Sequence, residues 1–131
     1  MGTEEQLDST IHHLIVRTMV DQGRAPCHRE MQSSLAVGAK ELEASLRRLD
    51  RGHGLVLHPH SSEVWVVHPF STSPTHTWVE KGEKGWWAPC IWCGLGVAVL
   101  VGGEVVIHAR LGAECEAVVI RVHDGAVEQS N

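Results

Sequence analysis

The most informative part of this sequence is the stretch Trp86-Trp87-Ala88-Pro89-Cys90-Ile91-Trp92-Cys93-Gly94-Leu95-Gly96-Val97. Apolar residues continue beyond it and are followed by two glycines, so the pattern predicts a helix over residues 89–101. In a helix, Cys90 and Cys93 lie about one turn apart on one face. Two thiols placed in this way can bind one soft metal ion or close a redox disulfide.

Short strands are predicted on both sides of this helix. Runs of β-branched and aromatic residues predict strands at residues 77–80, 104–109 and 116–122. A cysteine-bearing helix packed on antiparallel strands forms a small α/β core, which we place at residues 77–123. Residues 124–131 are predicted to be a flexible tail.

The N-terminal half has a different pattern. Apolar residues at helical spacing predict three helices, at residues 9–22, 27–35 and 39–51. Ser9 or Thr10 is expected to cap the first of them. Two short strands are then predicted, at residues 55–58 and 64–67. Because three helices followed by a β-hairpin is the order of a winged helix, residues 1–67 are predicted to form a winged-helix-like domain. The proline-containing residues 68–76 are predicted to be a linker.

The charge and the apolar runs limit the classes of function. The net charge is −5 over 131 residues, which argues against a general nucleic-acid binder. The third helix carries Glu41 and Glu43 beside Arg47 and Arg48, so a packing or dimerisation module is favoured over a DNA reader. No apolar run is long enough to span a bilayer, and we see no signal peptide. We therefore expect a cytoplasmic protein, whose four cysteines are free thiols or ligands.

Several of these residues together resemble a known family. The segments His68-Pro69-Phe70-Ser71, Pro74-Thr75 and the run from Trp86 to Val97 resemble the core of the alkylmercury lyase (organomercurial lyase) family. The resemblance covers about residues 10–122 and implies an α+β fold. In that fold a winged-helix-like N-terminal domain precedes a core whose short helix carries a catalytic cysteine. Cys90 falls on that cysteine.

The resemblance also implies a chemistry. In the family, two thiolates bind the mercury of R–Hg⁺, and an aspartate three positions after the first cysteine protonates the carbon leaving group. This sequence has Cys93 at the position of the aspartate. The family's second catalytic cysteine comes from a later segment, which we expect this sequence to lack. Cys90 and Cys93 are therefore the expected catalytic residues and metal ligands, with Cys115 as a third sulfur ligand.

A proton donor is not obvious from the residues. The candidates by residue type are the neutral thiol of Cys93 and four further side chains, namely those of His68, His76, Glu114 and Glu116. Trp86, Trp87 and Trp92 are expected to line an apolar pocket that excludes water around the metal. Cys27 is expected to be structural.

Three functions follow as alternatives. The first is an organomercurial-lyase-like protein that binds a soft metal or organometal through Cys90 and Cys93 and cleaves a carbon–mercury bond. The second is a non-catalytic soft-metal-binding or sensing protein, and the third is a paralogue with another thiol-dependent reaction. No cofactor is required; mercury, with copper or zinc as alternatives, is the substrate or ligand. The oligomeric state is open, a homodimer included. A thiol–disulfide oxidoreductase is disfavoured because the two cysteines do not follow a βαβ pattern.

Overall fold

The computed structural model describes residues 3–111 and 116–128. The chain divides into two compact units, residues 1–67 and residues 68–131. Helices and antiparallel strands make the fold α+β, as predicted. Within the described residues, no helix has both the length and the apolar character needed to cross a membrane.

The first unit consists of helices and one β-hairpin. Its elements are α1 (Thr3–Gln22), α2 (His28–Leu35), α3 (Ala39–Arg51), β1 (Val56–Leu57) and β2 (Val64–Val67). Strands β1 and β2 pair antiparallel. The core of this unit is built from fully buried apolar side chains of the three helices, namely Ile11, Ile15, Met19, Met31, Leu42 and Leu46. The order of elements and the bounds of α3 are those predicted from the sequence.

The predicted start of the first helix, at residue 9, is wrong, because α1 begins at Thr3. Glu4 and Glu5 lie in its first turn, where carboxylates interact favourably with the helix dipole. The hydroxyl of Thr10, which resembles an N-cap in the sequence, instead donates to the carbonyl of Gln6 at 2.8 Å inside the helix. A hydroxyl that bonds the preceding turn no longer marks a helix end.

The second unit is a helix on an antiparallel sheet. Its elements are β3 (Phe70–Ser71), β4 (Thr77–Lys81), β5 (Lys84–Ala88), α4 (Ile91–Val101), β6 (Glu104–Leu111), β7 (Glu116–His123) and β8 (Ala126–Val127). The strands follow the order β3-β5-β4-β6-β7-β8. Each neighbouring pair in this order is antiparallel.

No strand was predicted at β5 (Lys84–Ala88), and the short strands β3 and β8 also lie where no strand was predicted. Strand β3 is in the predicted linker, where Phe70 is fully buried and Ser71 pairs with Trp87. Strand β8 is in the predicted tail, where Gly125 has a positive φ of 83° and turns the chain back onto β7. Both strands have two residues and are defined by their partners, so no sequence period announces them.

Helix α4 lies close to one face of this sheet and contacts β3, β4, β5 and β6. Its closest approach is at Gly94, where a Cβ atom would lie 3.1 Å from Cγ2 of Thr77 and 3.2 Å from Cγ2 of Ile107. A larger residue at this position would hold the helix away from the sheet. The predicted helix over 89–101 is thus confirmed, with its first helical residue at Ile91.

Candidate thiol site at the start of helix α4

Cys90 is the N-cap residue of α4. Strand β5 ends at Ala88, and Pro89 separates the strand from the helix. The backbone of Cys90 is extended, with φ −159° and ψ 177°, while its carbonyl accepts the first helical hydrogen bond from the N–H of Gly94 at 2.9 Å. Its side chain is therefore placed at the end of the helix where backbone N–H groups have no helical partner, and Cys90 is exposed to solvent.

This position favours the thiolate of Cys90. The thiol forms no short side-chain capping hydrogen bond, yet the backbone N–H of Cys93 lowers its pKa. Partial burial acts against this effect, and the Cys93 side chain and the N–H of Trp92 add to it. The positive end of the helix dipole also stabilises a thiolate anion and therefore lowers the pKa in the same direction.

Cys93 has the opposite character. It is half-buried, and burial is the largest cause of its raised pKa. Its interactions with the Cys90 side chain raise the pKa further. These causes favour the protonated form of the Cys93 thiol. Nδ1 of His68 lies 3.9 Å from Sγ of Cys93. The site thus contains two thiols whose pKa values shift in opposite directions, with an imidazole next to Cys93.

The structure describes only some of the remaining cysteines and candidate acids. Cys27 is exposed at the N-cap of α2, in the first unit. Cys115 and Glu114 lie outside the described residues, so their predicted roles stay predictions. His76 and Glu116 are both exposed. Among the residues that the structure describes, no group of three or more His, Cys, Asp or Glu side chains is arranged to hold a metal ion.

The structure places the three predicted pocket tryptophans in three different environments. Trp86 and Trp87 are neighbours in β5 and therefore point to opposite faces of the sheet. Trp86 is buried on the face that α4 covers, opposite Val79. Trp87 is half-buried, with its ring centroid 4.7 Å from that of Trp78. Trp92, between the two cysteines in sequence, is 78% exposed.

His68 is the residue of this site that the sequence identifies least well. It is named there only as one of several proton-donor candidates by type. It is 25 positions from Cys93 in the chain and exposed, so neither spacing nor hydropathy links the two. The signal that was available is its place in the segment that resembles the lyase family.

Comparisons with known proteins bear on the second unit and on the fold. Residues 70–131 match the family model described as alkylmercury lyase. No curated protein matches the sequence. Among solved structures, the chain is similar to the one titled "Crystal structure of the mercury-bound form of MerB2", with a TM-score of 0.71 and 16% identity.

That similarity covers 96% of this chain and 64% of the MerB2 chain, so this chain spans less than two thirds of its length. At 16% identity the likeness shows the fold, which is α+β with an antiparallel sheet, as in MerB2. Residues 70–131, which carry both cysteines of the site, therefore resemble the alkylmercury lyase family, as the sequence predicts.

Proposed function

We propose that the protein binds a soft metal ion or an organomercurial compound through Cys90 and Cys93. The observation that supports the proposal is the placement of two cysteines at the start of one helix, with Cys90 exposed at the N-cap of α4 and Cys93 half-buried at its third position. Mercury prefers soft sulfur ligands and is satisfied by two of them, so a third described ligand is not required. The mercury-bound title of the similar structure supports mercury as the metal.

Binding of an organomercurial begins at the exposed sulfur. The Cys90 thiolate attacks the mercury of R–Hg–X, the sulfur–mercury bond forms, and X⁻ leaves. The product, Cys90–S–Hg–R, has its mercury near the thiol of Cys93, because the two cysteines are the N-cap and the third residue of one helix. The metal is thereby placed within reach of the second sulfur.

A second candidate function, cleavage of the carbon–mercury bond, is favoured by the raised pKa of Cys93, which stabilises its protonated form. In this step the Cys93 proton goes to the carbon of R, the carbon–mercury bond breaks, and the Cys93 sulfur binds the mercury. The products are R–H and one Hg²⁺ held by two thiolates, and no atom is oxidised or reduced. Cys93 would then serve as acid first and as ligand afterwards, at the position where the lyase family has its aspartate.

The first unit has a secondary place in this proposal. Its three helices and hairpin act as a winged-helix-like packing or dimerisation module. If the carbon–mercury bond is not cleaved, the protein is a soft-metal-binding or sensing protein built on a lyase-like fold.

The experiment is a titration of the fully reduced protein with Hg²⁺ and, separately, with methylmercury. A Cys27→Ser, Cys115→Ser background leaves only the two site thiols. We expect Hg²⁺ to consume both thiols at one ion per chain. Methylmercury should consume both thiols with release of methane if Cys93 is the acid, and one thiol without methane if the protein only binds. Retention of both thiols at stoichiometric metal would refute the proposal.

Single substitutions separate the two roles. Cys90→Ser should abolish tight binding of both compounds. Cys93→Ser should keep methylmercury on Cys90 and release no methane. Cys93→Asp, which introduces the family's residue, should release methane at least as fast as the parent protein if an acid at this position limits cleavage. Methane release by Cys93→Ser would rule out Cys93 as the acid.

A further inference from the structure

We infer that the same pair also carries out thiol–disulfide exchange, with Cys90 as the attacking thiol, Cys93 as the resolving thiol and a small or exposed disulfide as the substrate. This activity requires no bound metal. It follows from the different exposure of the two cysteines and from their positions, the N-cap and the third residue of α4.

The exposure of the two sulfurs assigns their order of reaction. Cys90 is exposed at the N-cap of α4, where an incoming disulfide can reach it. Cys93 is half-buried and therefore less accessible than Cys90 to an incoming disulfide. Exchange needs an accessible thiolate for the first attack and a protected second thiol for the next one.

The spacing of the two cysteines makes ring closure local. Cys90 and Cys93 occupy the N-cap and the third helical position of one helix, about one turn apart. A disulfide between them therefore requires side-chain rotation and no rearrangement of β5 or of the rest of α4.

Thiol–disulfide exchange at this site proceeds in two steps. The Cys90 thiolate attacks R–S–S–R, giving Cys90–S–S–R and R–S⁻. Cys93 then gives its proton to the departing R–S⁻ and attacks the Cys90 sulfur, which releases the second R–S⁻ and closes the Cys90–Cys93 disulfide. Two electrons pass from the dithiol to the substrate, so the substrate disulfide is the oxidant.

The lack of a βαβ pattern does not oppose this activity. That pattern identifies one fold that hosts such a pair, whereas the reaction depends on the site. The sequence criterion used above to disfavour an oxidoreductase therefore concerns the scaffold and leaves the chemistry of Cys90 and Cys93 open.

The chain contains its own control. Cys27 is also an exposed N-cap cysteine, but the residue three positions later is Glu30. The Glu30 carboxylate accepts the backbone N–H of Cys27 at 3.0 Å and two hydrogen bonds from Arg24. With no second thiol in the described residues around it, exchange at Cys27 stops at the mixed disulfide.

The experiment is the reaction of the reduced full-length chain with oxidised glutathione, followed by intact-mass spectrometry. In the Cys27→Ser, Cys115→Ser background we expect loss of two hydrogens and no glutathione adduct. Adding Cys93→Ser should leave one stable glutathione on Cys90. A chain that retains Cys27 as its one cysteine should also keep its adduct, and it should react at least tenfold more slowly than Cys90.

The opposite outcomes are equally clear. A persistent glutathione adduct in the background protein would show that Cys93 does not resolve, and an unreactive Cys90 in the Cys93→Ser variant would show that it does not attack. Either result overturns the inference. The Hg²⁺ titration of the same protein measures metal binding separately. A protein that binds mercury but does not exchange disulfides would refute this inference and leave the proposed metal binding standing.

Discussion

Single residues one turn apart have opposite acid–base properties in this site because their surroundings differ. The sulfur of Cys90 faces backbone N–H groups and solvent, so its pKa is lowered, while Cys93 is half-buried and its pKa is raised. The difference does not come from residue type, since both are cysteine. It comes from the N-cap position of one and the burial of the other.

We predict that this difference is visible in the pH dependence of alkylation. Iodoacetamide reacts with the thiolate, so a lowered pKa moves the half-maximal rate of Cys90 below pH 9.0, the reference value, and a raised pKa moves that of Cys93 above it. Peptide mapping of the Cys27→Ser, Cys115→Ser protein at each pH measures both. In urea the two profiles should coincide.

A further variant separates the causes. Cys93→Ala removes the side-chain donor to Cys90 and keeps the backbone N–H of residue 93, which is the largest cause of the shift. The Cys90 profile should then move partway towards pH 9.0 and remain below it. A midpoint at or above pH 9.0 in the parent protein would contradict the assignment of Cys90 as the thiolate-favouring residue.

At the scale of elements, the position of α4 on the sheet holds the thiol pair in place. Gly94 follows Cys93 directly, donates its N–H to the carbonyl of Cys90, and lies against Thr77 and Ile107. Glycine costs helix stability at this position, by about 1 kcal/mol relative to alanine. The close approach of helix and sheet offsets that cost.

We predict that Gly94→Val destabilises the protein by about 1–3 kcal/mol, because its methyl groups would overlap the side chains of β4 and β6. Urea unfolding measures the change. The matched control on the same helix is Val99→Ala, at a residue that is 64% exposed, and it should change stability by less than about 0.5 kcal/mol. Equal effects of the two substitutions would show that α4 does not pack closely at Gly94.

Elements with a local sequence pattern were the ones that could be predicted. The spacing of Leu42 and Leu46, with glycines on both sides, gives the bounds of α3, and the apolar run after Cys90 gives α4. Strand β5 (Lys84–Ala88) was not predicted. Strands β3 and β8 could not be found because each is two residues long and exists through pairing with a distant or later segment. The start of α1 was misjudged because a residue with N-cap chemistry, Thr10, lies inside the helix.

In the site, too, the features with a local sequence pattern could be predicted and those that depend on tertiary structure could not. The spacing of Cys90 and Cys93 gives their closeness, because both lie in one helical turn. Which of them holds the proton depends on burial by the sheet, and the approach of His68 depends on tertiary structure. The different environments of Trp86 and Trp87 follow from the alternation of side chains along β5. This alternation can be assigned only once the bounds of β5 are known.

At the scale of the whole molecule, the charge of the chain opposes nucleic acid binding, and so do the ion pairs of the first unit. The net charge is −5. On α3, Arg47 pairs with Glu43 at 3.1 Å, and Arg48 pairs with Glu4 and Asp8 at 2.9 and 2.8 Å. Guanidinium groups that are already paired release few counterions from a phosphate backbone.

We therefore predict no binding to a fluorescein-labelled random DNA duplex at physiological ionic strength and low micromolar protein, as measured by fluorescence anisotropy. The pair Glu41→Lys and Glu43→Lys frees Arg47 and raises the net charge from −5 to −1, two units for each substitution. If α3 is the helix of a winged-helix-like fold that faces DNA, this variant should gain binding that weakens as salt rises.

The control has the same charge change in the second unit, at the exposed residues Glu83 and Glu116, each replaced by lysine. It should gain much less affinity, since its new charges are not on α3. Equal gains for both double variants would mean that net charge alone decides binding and that α3 has no special place in it. Salt-dependent binding by the unmodified chain, weakened by Arg51→Ala, would instead make the first unit a DNA-binding domain, and the metal-sensing alternative would then be favoured over the enzyme.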